Sequence, residues 1–230
     1  MPSKRMHFEE DLVEELNNIG QSPADFNGIV HDLLEWWTEP GRVYSTSMHL
    51  VLMRQLCLGL NAKRIGEIGV GRSSFVLAAT ALDQAGEFVT CDRFDYREMF
   101  ALADFNCNAL TYIHGDSDKF WAHPETAKGY DFLFLDYMSS RKKSVESCYK
   151  DLKKAVKAVK QNGIIAVHDA LPGKYNVAAA LVHLQVKYND GVEVLTLPYN
   201  YGLALIRRCT KSPHGEIKDT WPKTQEPKDE

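Results

Sequence analysis

The sequence predicts an α/β fold: a doubly wound, mostly parallel seven-stranded sheet that ends in an antiparallel strand pair and is preceded by helices. Three observations carry this. From residue 64 onward, short β-like runs alternate with helical stretches, as parallel strands require, because each must be rejoined by a crossover. The first run leads through Gly66-Glu67-Ile68-Gly69-Val70-Gly71 directly into the helix-like Phe75-Val76-Leu77-Ala78-Ala79. Only Pro198-Tyr199-Asn200 separates the last two β-like runs, too short for a crossover, so those two pair antiparallel.

The elements follow in chain order. Leu12, Leu16 and Ile19, then Ile29, Leu33, Trp36 and Trp37, recur at helical spacing on either side of Gly20-Gln21-Ser22-Pro23. Two helices are expected there, the second capped by Ser22 with Pro23 at its first position. Residues 48–60 read as an apolar helix that enters the first strand through Asn61-Ala62-Lys63. Strands are expected at 64–68, 87–91, 110–114, 132–135 and 164–167, with helices at 74–85, 96–106 and 145–160 between them. The last of these helices has Val145, Cys148, Leu152, Ala155, Val156 and Val159 on one face, lysines opposite and Gly163 beyond its end. A helix at 177–188 precedes the closing strands at 192–197 and 201–207. Residues 210–230, rich in Lys, Pro, Glu and Asp, read as a mobile polar tail.

At 230 residues the chain fits one domain with a terminal appendage, and its 44% hydrophobic and 25% charged content is that of an ordinary globular protein. A net charge of -4 gives no global drive towards nucleic acid or anionic lipid. The five cysteines (Cys57, Cys91, Cys107, Cys148, Cys209) are odd in number and form no CxxC, which argues against a disulfide framework or a zinc ribbon. Met1-Pro2-Ser3-Lys4-Arg5 lacks the apolar stretch of a signal peptide, and no apolar run reaches membrane-spanning length. The expectation is a cytoplasmic protein.

In open α/β sheets, ligands bind beyond the carboxyl ends of the strands. The first strand leads into Glu67, Gly69 and Gly71, where missing Cβ atoms let a backbone turn approach a nucleotide-like ligand closely. An acid before those glycines would repel a pyrophosphate but suits a cofactor with a cationic end, which points from NAD towards S-adenosylmethionine. The second strand ends at Asp92, where a carboxylate can accept hydrogen bonds from ribose hydroxyls. The third ends in Gly115-Asp116-Ser117, placed to read an adenine edge, the fourth at Asp136, and the fifth at His168-Asp169. Each acid alone could be a turn former or an N-cap; the weight lies in their agreement at five successive strand ends. Ser73 and Arg93, beside the glycines and Asp92, join the candidate cofactor-binding set of Glu67, Gly69, Gly71, Asp92, Asp116, Ser117 and Asp136.

Glu67-Ile-Gly69-Val-Gly71, Asp92, Gly115-Asp116-Ser117 and the closing strand pair resemble class I S-adenosylmethionine-dependent methyltransferases, whose sheet is Rossmann-like, over residues 44 to 208. Phe134-Leu135-Asp136 and Gly163-Ile-Ile-Ala-Val-His168-Asp169 resemble the macrocin-type and methyltransferase domain 24 groups of small-molecule O-methyltransferases. The resemblance implies methyl transfer to a small-molecule hydroxyl, with Asp136 and Asp169 in the places where such enzymes often hold Mg²⁺. It also departs from pattern: Ala170 stands where catechol-type enzymes have Asn, and 136–140 lacks their Lys. His168 is then the expected general base, with Asp136 and Asp169 completing the catalytic set.

The expected domain limits are 1–43 for a helical extension (a cap or a homodimer contact), 44–209 for the cofactor-binding domain and 210–230 for the tail. Two other readings stay open on the residues: a cofactor-binding protein without catalysis, and an NAD-type oxidoreductase. Against the second stand Glu67 before the glycines and Ser74 where a third glycine would fit. The expected partners are a small-molecule acceptor and neither membrane nor nucleic acid.

Overall fold

A computed structural model describes residues 47–97, 109–138, 143–173, 175–188 and 191–209. The expectations for the N-terminal helices, for most of the 96–106 helix and for the tail fall outside these residues.

The chain enters through α1 (Ser47–Leu60) and runs into β1 (Arg64–Ile68), α2 (Arg72–Asp83), β2 (Glu87–Asp92) and β3 (Leu110–His114). Two short helices, α3 (Ser117–Ala122) and α4 (Pro124–Ala127), lead to β4 (Tyr130–Leu135). Then come α5 (Val145–Ala158), β5 (Val159–His168), α6 (Val177–Tyr188), β6 (Val192–Leu197) and β7 (Leu203–Arg208). The sheet order is β3-β2-β1-β4-β5-β7-β6, and β7 alone runs against its neighbours. The chain builds β1, β2 and β3 outward on one side and returns to place β4 on the other. That reversal opens a crevice at the carboxyl ends of β1 and β4.

All five residues of β1 are buried, as expected of a central parallel strand covered on both faces. Ile65 faces Leu50, Met53, Phe75, Val76, Phe88 and Phe132 beneath α1 and α2. Ile68 faces the opposite layer, where Leu133, Leu135, Ile165 and Val167 pack on Leu152, Val156, Leu181 and Leu184 of α5 and α6. At the far end from the crevice, Asp131 accepts from the backbone N–H groups of Lys63 and Arg64 at 2.9 and 2.8 Å, which fixes the β1–β4 register.

The structure departs from expectation at β5 and β7. Helix α5 stops at Ala158 and β5 begins at once, so that Tyr130 pairs Val159 while Phe132 pairs Ile164. The intervening residues loop out through Asn162, whose φ is 64°. Apolar periodicity continued across that junction and hid it. Strand β7 begins at Leu203 rather than 201, because Asn200, Tyr201 and Gly202 are all left-handed and form the turn itself. The acid-Gly stretch after β3 continues as α3, capped by Asp116, which accepts from Lys119 N. Among the described residues no helix is long and apolar enough to cross a membrane.

The tightness of the β1–β4 contact is testable at Gly66. A Cβ there would stand 2.8 Å from Leu133 Cδ1 and 2.8 Å from Tyr130 Cε1. Gly66→Ala should cost about 1–3 kcal/mol of unfolding free energy through overpacking, read as a lower urea midpoint at unchanged slope. Gly59→Ala, where nothing lies within 4 Å, is the control and should not destabilise. Equal midpoints for the two variants would mean that the strands do not pack this closely.

Candidate functional site

The crevice holds a pocket of about 460 Å³ lined by Ile68, Gly69, Cys91, Asp92, Arg93, Gly115, Asp116, Ser117, Asp136, Tyr137 and Lys143. These residues come from the ends of β1, β2, β3 and β4, together with Lys143; of the expected cofactor set the lining includes Gly69, Asp92, Arg93, Asp116, Ser117 and Asp136, and not Glu67, Gly71 or Ser73.

The β1–α2 turn forms one wall, and Glu67 determines its shape. Glu67 is fully buried and faces α2. Ser73 Oγ donates to its Oε1 at 2.6 Å, and Thr90 Oγ1 to its Oε2 at 2.9 Å. Ser74 Oγ also donates to Oε2. Burial pushes the carboxyl up to about 8, against the lowering effect of these three hydroxyls. The expectation that Glu67 meets a ligand's cationic end is therefore corrected: its oxygens are committed beneath the turn, and the side chain holds the turn's shape. Ser73 is likewise turned inward.

The two glycines of the turn differ. Gly69 has φ of 103° and its backbone passes so close to β4 that a Cβ would lie 2.6 Å from the Asp136 carbonyl oxygen. Fold geometry alone accounts for this glycine. Gly71 caps α2 in an extended conformation, and a Cβ there would meet nothing nearer than Ser73 Oγ at 3.9 Å.

Asp92 is buried at the end of β2 and accepts from Val70 N at 3.0 Å and Phe94 N at 2.9 Å. It ties the β1–α2 turn to the loop after β2 while lining the pocket. Arg93 stacks its guanidinium over Phe94 at 5.0 Å. Asp116 accepts from Lys119 N at 3.1 Å, the N-cap role that its position always allowed, and Ser117 follows it on the pocket wall. Lys143 spans Asp151 at 2.6 Å and the Tyr137 ring at 4.2 Å.

Beyond the pocket lies a cluster of Asp136, His168 and Asp169. His168 Nδ1 is 3.1 Å from Asp136 Oδ1 and 3.5 Å from Asp169 Oδ2. Asp169 has φ of 59°, a left-handed conformation that Asp tolerates and that ends β5 abruptly. Burial alone would lower the His168 pKa, but hydrogen bonds and charge from Asp136 and Asp169 outweigh it and hold the ring at about 10. The two carboxylates thus favour the charged form of the ring that lies between them.

The expected Mg²⁺ site meets the same arrangement. The three ligand atoms lie within 4.8 Å of one another, close enough for a chelate. The donor set does not suit Mg²⁺, however, which takes oxygen ligands and keeps several waters. The third donor here is an imidazole nitrogen lying between the carboxylates, Ala170 offers none, and the His168 and Asp169 side chains are 3% and 9% exposed. These residues do not fit the ion.

One further polar residue, missed in the sequence, completes the corner. His49, in the first turn of α1, is 2% exposed and meets His168 edge to face, with ring centroids 5.6 Å apart and planes at 67°. It is a buried imidazole in a largely apolar helix, a weak signal in the sequence.

If His168 is charged, its stabilising contribution is complete below its ordinary value of 6.5 and is lost as pH rises through about 10. His168→Gln leaves two carboxylates facing each other and should cost about 3 kcal/mol near pH 6. Chemical denaturation from pH 6 to 10 should show that difference shrinking with rising pH. A constant difference would show that the ring is neutral throughout.

Residues 67–170 match the methyltransferase domain family, group 24. No curated protein matches the chain. Among solved structures, the SAH-bound methyltransferase PaMTH1 of Podospora anserina superposes with a TM-score of 0.59 at 18% identity, over 79% of this chain and 88% of its own. The O-methyltransferase TomG of Streptomyces achromogenes, involved in tomaymycin synthesis and solved with SAM, gives 0.57 at 17% identity, over 74% and 83%. An O-methyltransferase of Bacillus cereus in complex with SAH gives 0.56 at 15%, over 82% and 92%. Likenesses at this identity show a shared fold.

Proposed function

We propose, for a chain that carries a methyltransferase domain over residues 67–170, that it transfers the methyl group of S-adenosylmethionine to a hydroxyl of a small molecule. The observation that carries this reading is the pocket lined by Asp92, Asp116 and Asp136 at the point where the sheet order reverses, with an open cradle at Gly71. The structural relatives with SAM or SAH, two of them O-methyltransferases, support it.

The residues present fit the cofactor. In this reading the backbone from Gly69 to Gly71 receives its amino-acid end, with Glu67 and Ser73 acting through the turn they brace. Asp92 accepts from the ribose hydroxyls, with Arg93 alongside, and Asp116 and Ser117 border the adenine. When bound, the cofactor supplies a methyl group already activated by its sulfonium. The protein's part is to orient the acceptor oxygen and to exclude water, which suffices for an in-line displacement. Asp136, at 26% exposure, is the member of the cluster that also lines the pocket, and in this reading it borders the acceptor. His168 and Asp169 hold it in place. No step is assigned to a metal ion.

The domain limits 44–209 suit the described elements, which run from Ser47 to Arg208. A cytoplasmic setting suits the free cysteines Cys57, Cys91, Cys148 and Cys209.

Calorimetry tests the cofactor. S-adenosylmethionine should bind the wild type, and NADH should not compete. Gly71→Ala should fold normally but bind at least about tenfold more weakly, the equivalent of one unfavourable contact of about 1.4 kcal/mol. No heat at millimolar cofactor would sink the reading, and an unaffected Gly71→Ala would remove the cradle from it.

The metal is tested separately. Methyl transfer to a panel of phenols and alcohols should proceed equally in excess chelator and in added Mg²⁺. A rate that collapses in chelator and returns with Mg²⁺ alone would put the ion back at Asp136 and Asp169.

A further inference from the structure

The two faces of the outer sheet are covered unequally. Helices α5 and α6 pack on β5 and β6 from one side, where Val192, Val194, Ala204 and Ile206 join the core. On the other side α2 packs on β1 and β2, and α1 on β4. Beyond α1 the strand register puts Ile164, Leu205, Leu195 and Leu197 together on that same face. Ile164, Leu197 and Leu205 are only partly buried, Leu195 is 57% exposed, and a groove of about 220 Å³ lies among Ile164, Leu195 and Leu205.

This face is not patterned for water. A strand with one wet face alternates apolar and polar residues, whereas Leu203-Ala204-Leu205-Ile206 of β7 is apolar on both. The adjacent helix repeats the pattern: Leu52, Leu56 and Leu60 follow one another at four-residue spacing on α1 and are also only partly buried.

We propose that residues 23–37 of this chain lie as a helix across this face, their apolar side packed on Leu195, Leu197 and Leu205. Phe26, Ile29, Leu33, Trp36 and Trp37 share one side of a helix drawn over that stretch, and Asp25, Asp32 and Glu35 fall together on the other. The chain arrives at the right place. Helix α1 begins at Ser47, and its His49 ring lies 5.6 Å from that of His168 at the end of β5 and bonds the backbone of Tyr199 and Asn200. The residues before Ser47 therefore enter beside the β6–β7 turn, where the open face starts. As a helix, 23–37 spans about 22 Å, against roughly 20 Å for the six residues of β6. Residues 38–46 can bridge up to about 30 Å, ample for the return to α1. The tail 210–230 leaves from the opposite end of β7 and has few apolar residues to offer. The stretch 23–37 is thus a layer of the domain itself, closing the outer core, and this placement stands apart from the methyl-transfer reading.

A photo-crosslinker in the full chain reads the contact directly. With p-benzoylphenylalanine in place of Leu195, irradiation of a dilute sample should join that position to residues 23–37 in a product of monomer mass, located by mass spectrometry. The same group in place of Val182, 61% exposed on α6 across the sheet, should not reach them. A crosslinked dimer would give the face to a second copy, and attachment to 210–230 would give it to the tail. Either result, or no attachment to 23–37, would overturn the proposal. Leu195→Glu should also speed chymotryptic cleavage after Trp36 and Trp37 by at least about tenfold, because cleavage follows the population of the open form, and Val182→Glu should not. Equal cleavage of the two variants would count against the contact as well.

Discussion

A carboxylate with no exposed surface must be either neutral or well supplied with donors, because water is not there to solvate it. Glu67 meets that constraint with three hydroxyls drawn from two elements, Ser73 and Ser74 of α2 and Thr90 of β2. Those bonds pin the N-terminus of α2 to the middle of β1 and β2. The turn between them has little freedom left: Gly69 is driven into a left-handed conformation against Asp136, and Val70 hands its N–H to Asp92. The pocket wall is therefore a consequence of satisfying one buried acid. That acid shapes the proposed cofactor site without touching it.

Charge is handled differently at the ends of β4 and β5. There Asp136 and Asp169 are neighbours, and two carboxylates so close repel unless a cation lies between them. A divalent ion is one solution and an imidazolium another. The strand itself places the His168 ring between these two acids, with Asp136 partly open to the pocket. The substitution has a chemical price. An imidazolium balances charge and orients its neighbours, but it cannot gather two oxygens of a ligand as a metal does. Orientation of the acceptor must then come from elsewhere in the site.

Most of the fold was legible because parallel strands and their helices write strong periodic patterns. The bounds of β3, β6 and α6 agree with expectation to the residue. The α5–β5 junction was not legible, since Val156 and Val159 continue one apolar periodicity through the point where helix becomes strand. In the candidate site, the positions of Asp92, Asp116 and Asp136 followed from strand ends, which sequence shows well. Their partners did not. Whether Glu67 faces a ligand or Ser73, Ser74 and Thr90 depends on which side of β1 it occupies and on what α2 brings there. Thr90 is a single hydroxyl in an apolar strand, and His49 a single imidazole in an apolar helix. Each gives a weak local signal and acquires meaning only through residues far away in the chain.

That contrast separates the two halves of the site. The half formed by β1, β2 and β3 presents backbone and strand-end acids, and its geometry is set by hydrogen bonds within a short stretch of chain. The half formed by β4, β5, α1 and the β6–β7 turn brings together Asp136, His168, His49 and Asn200, none of them neighbours in sequence except across 30 residues or more. A local stretch can be read from its motif, and changing it disturbs the turn that bounds the pocket. A corner assembled from four elements can change one residue at a time while the sheet stays intact, which is where variation in acceptor would be accommodated. The cradle and the corner meet at Asp136, whose backbone carbonyl abuts Gly69 and whose carboxylate bonds His168. A shift in either half is thus felt by the other through one residue, and the alignment of oxygen with methyl carbon depends on how firmly that residue is held from both sides.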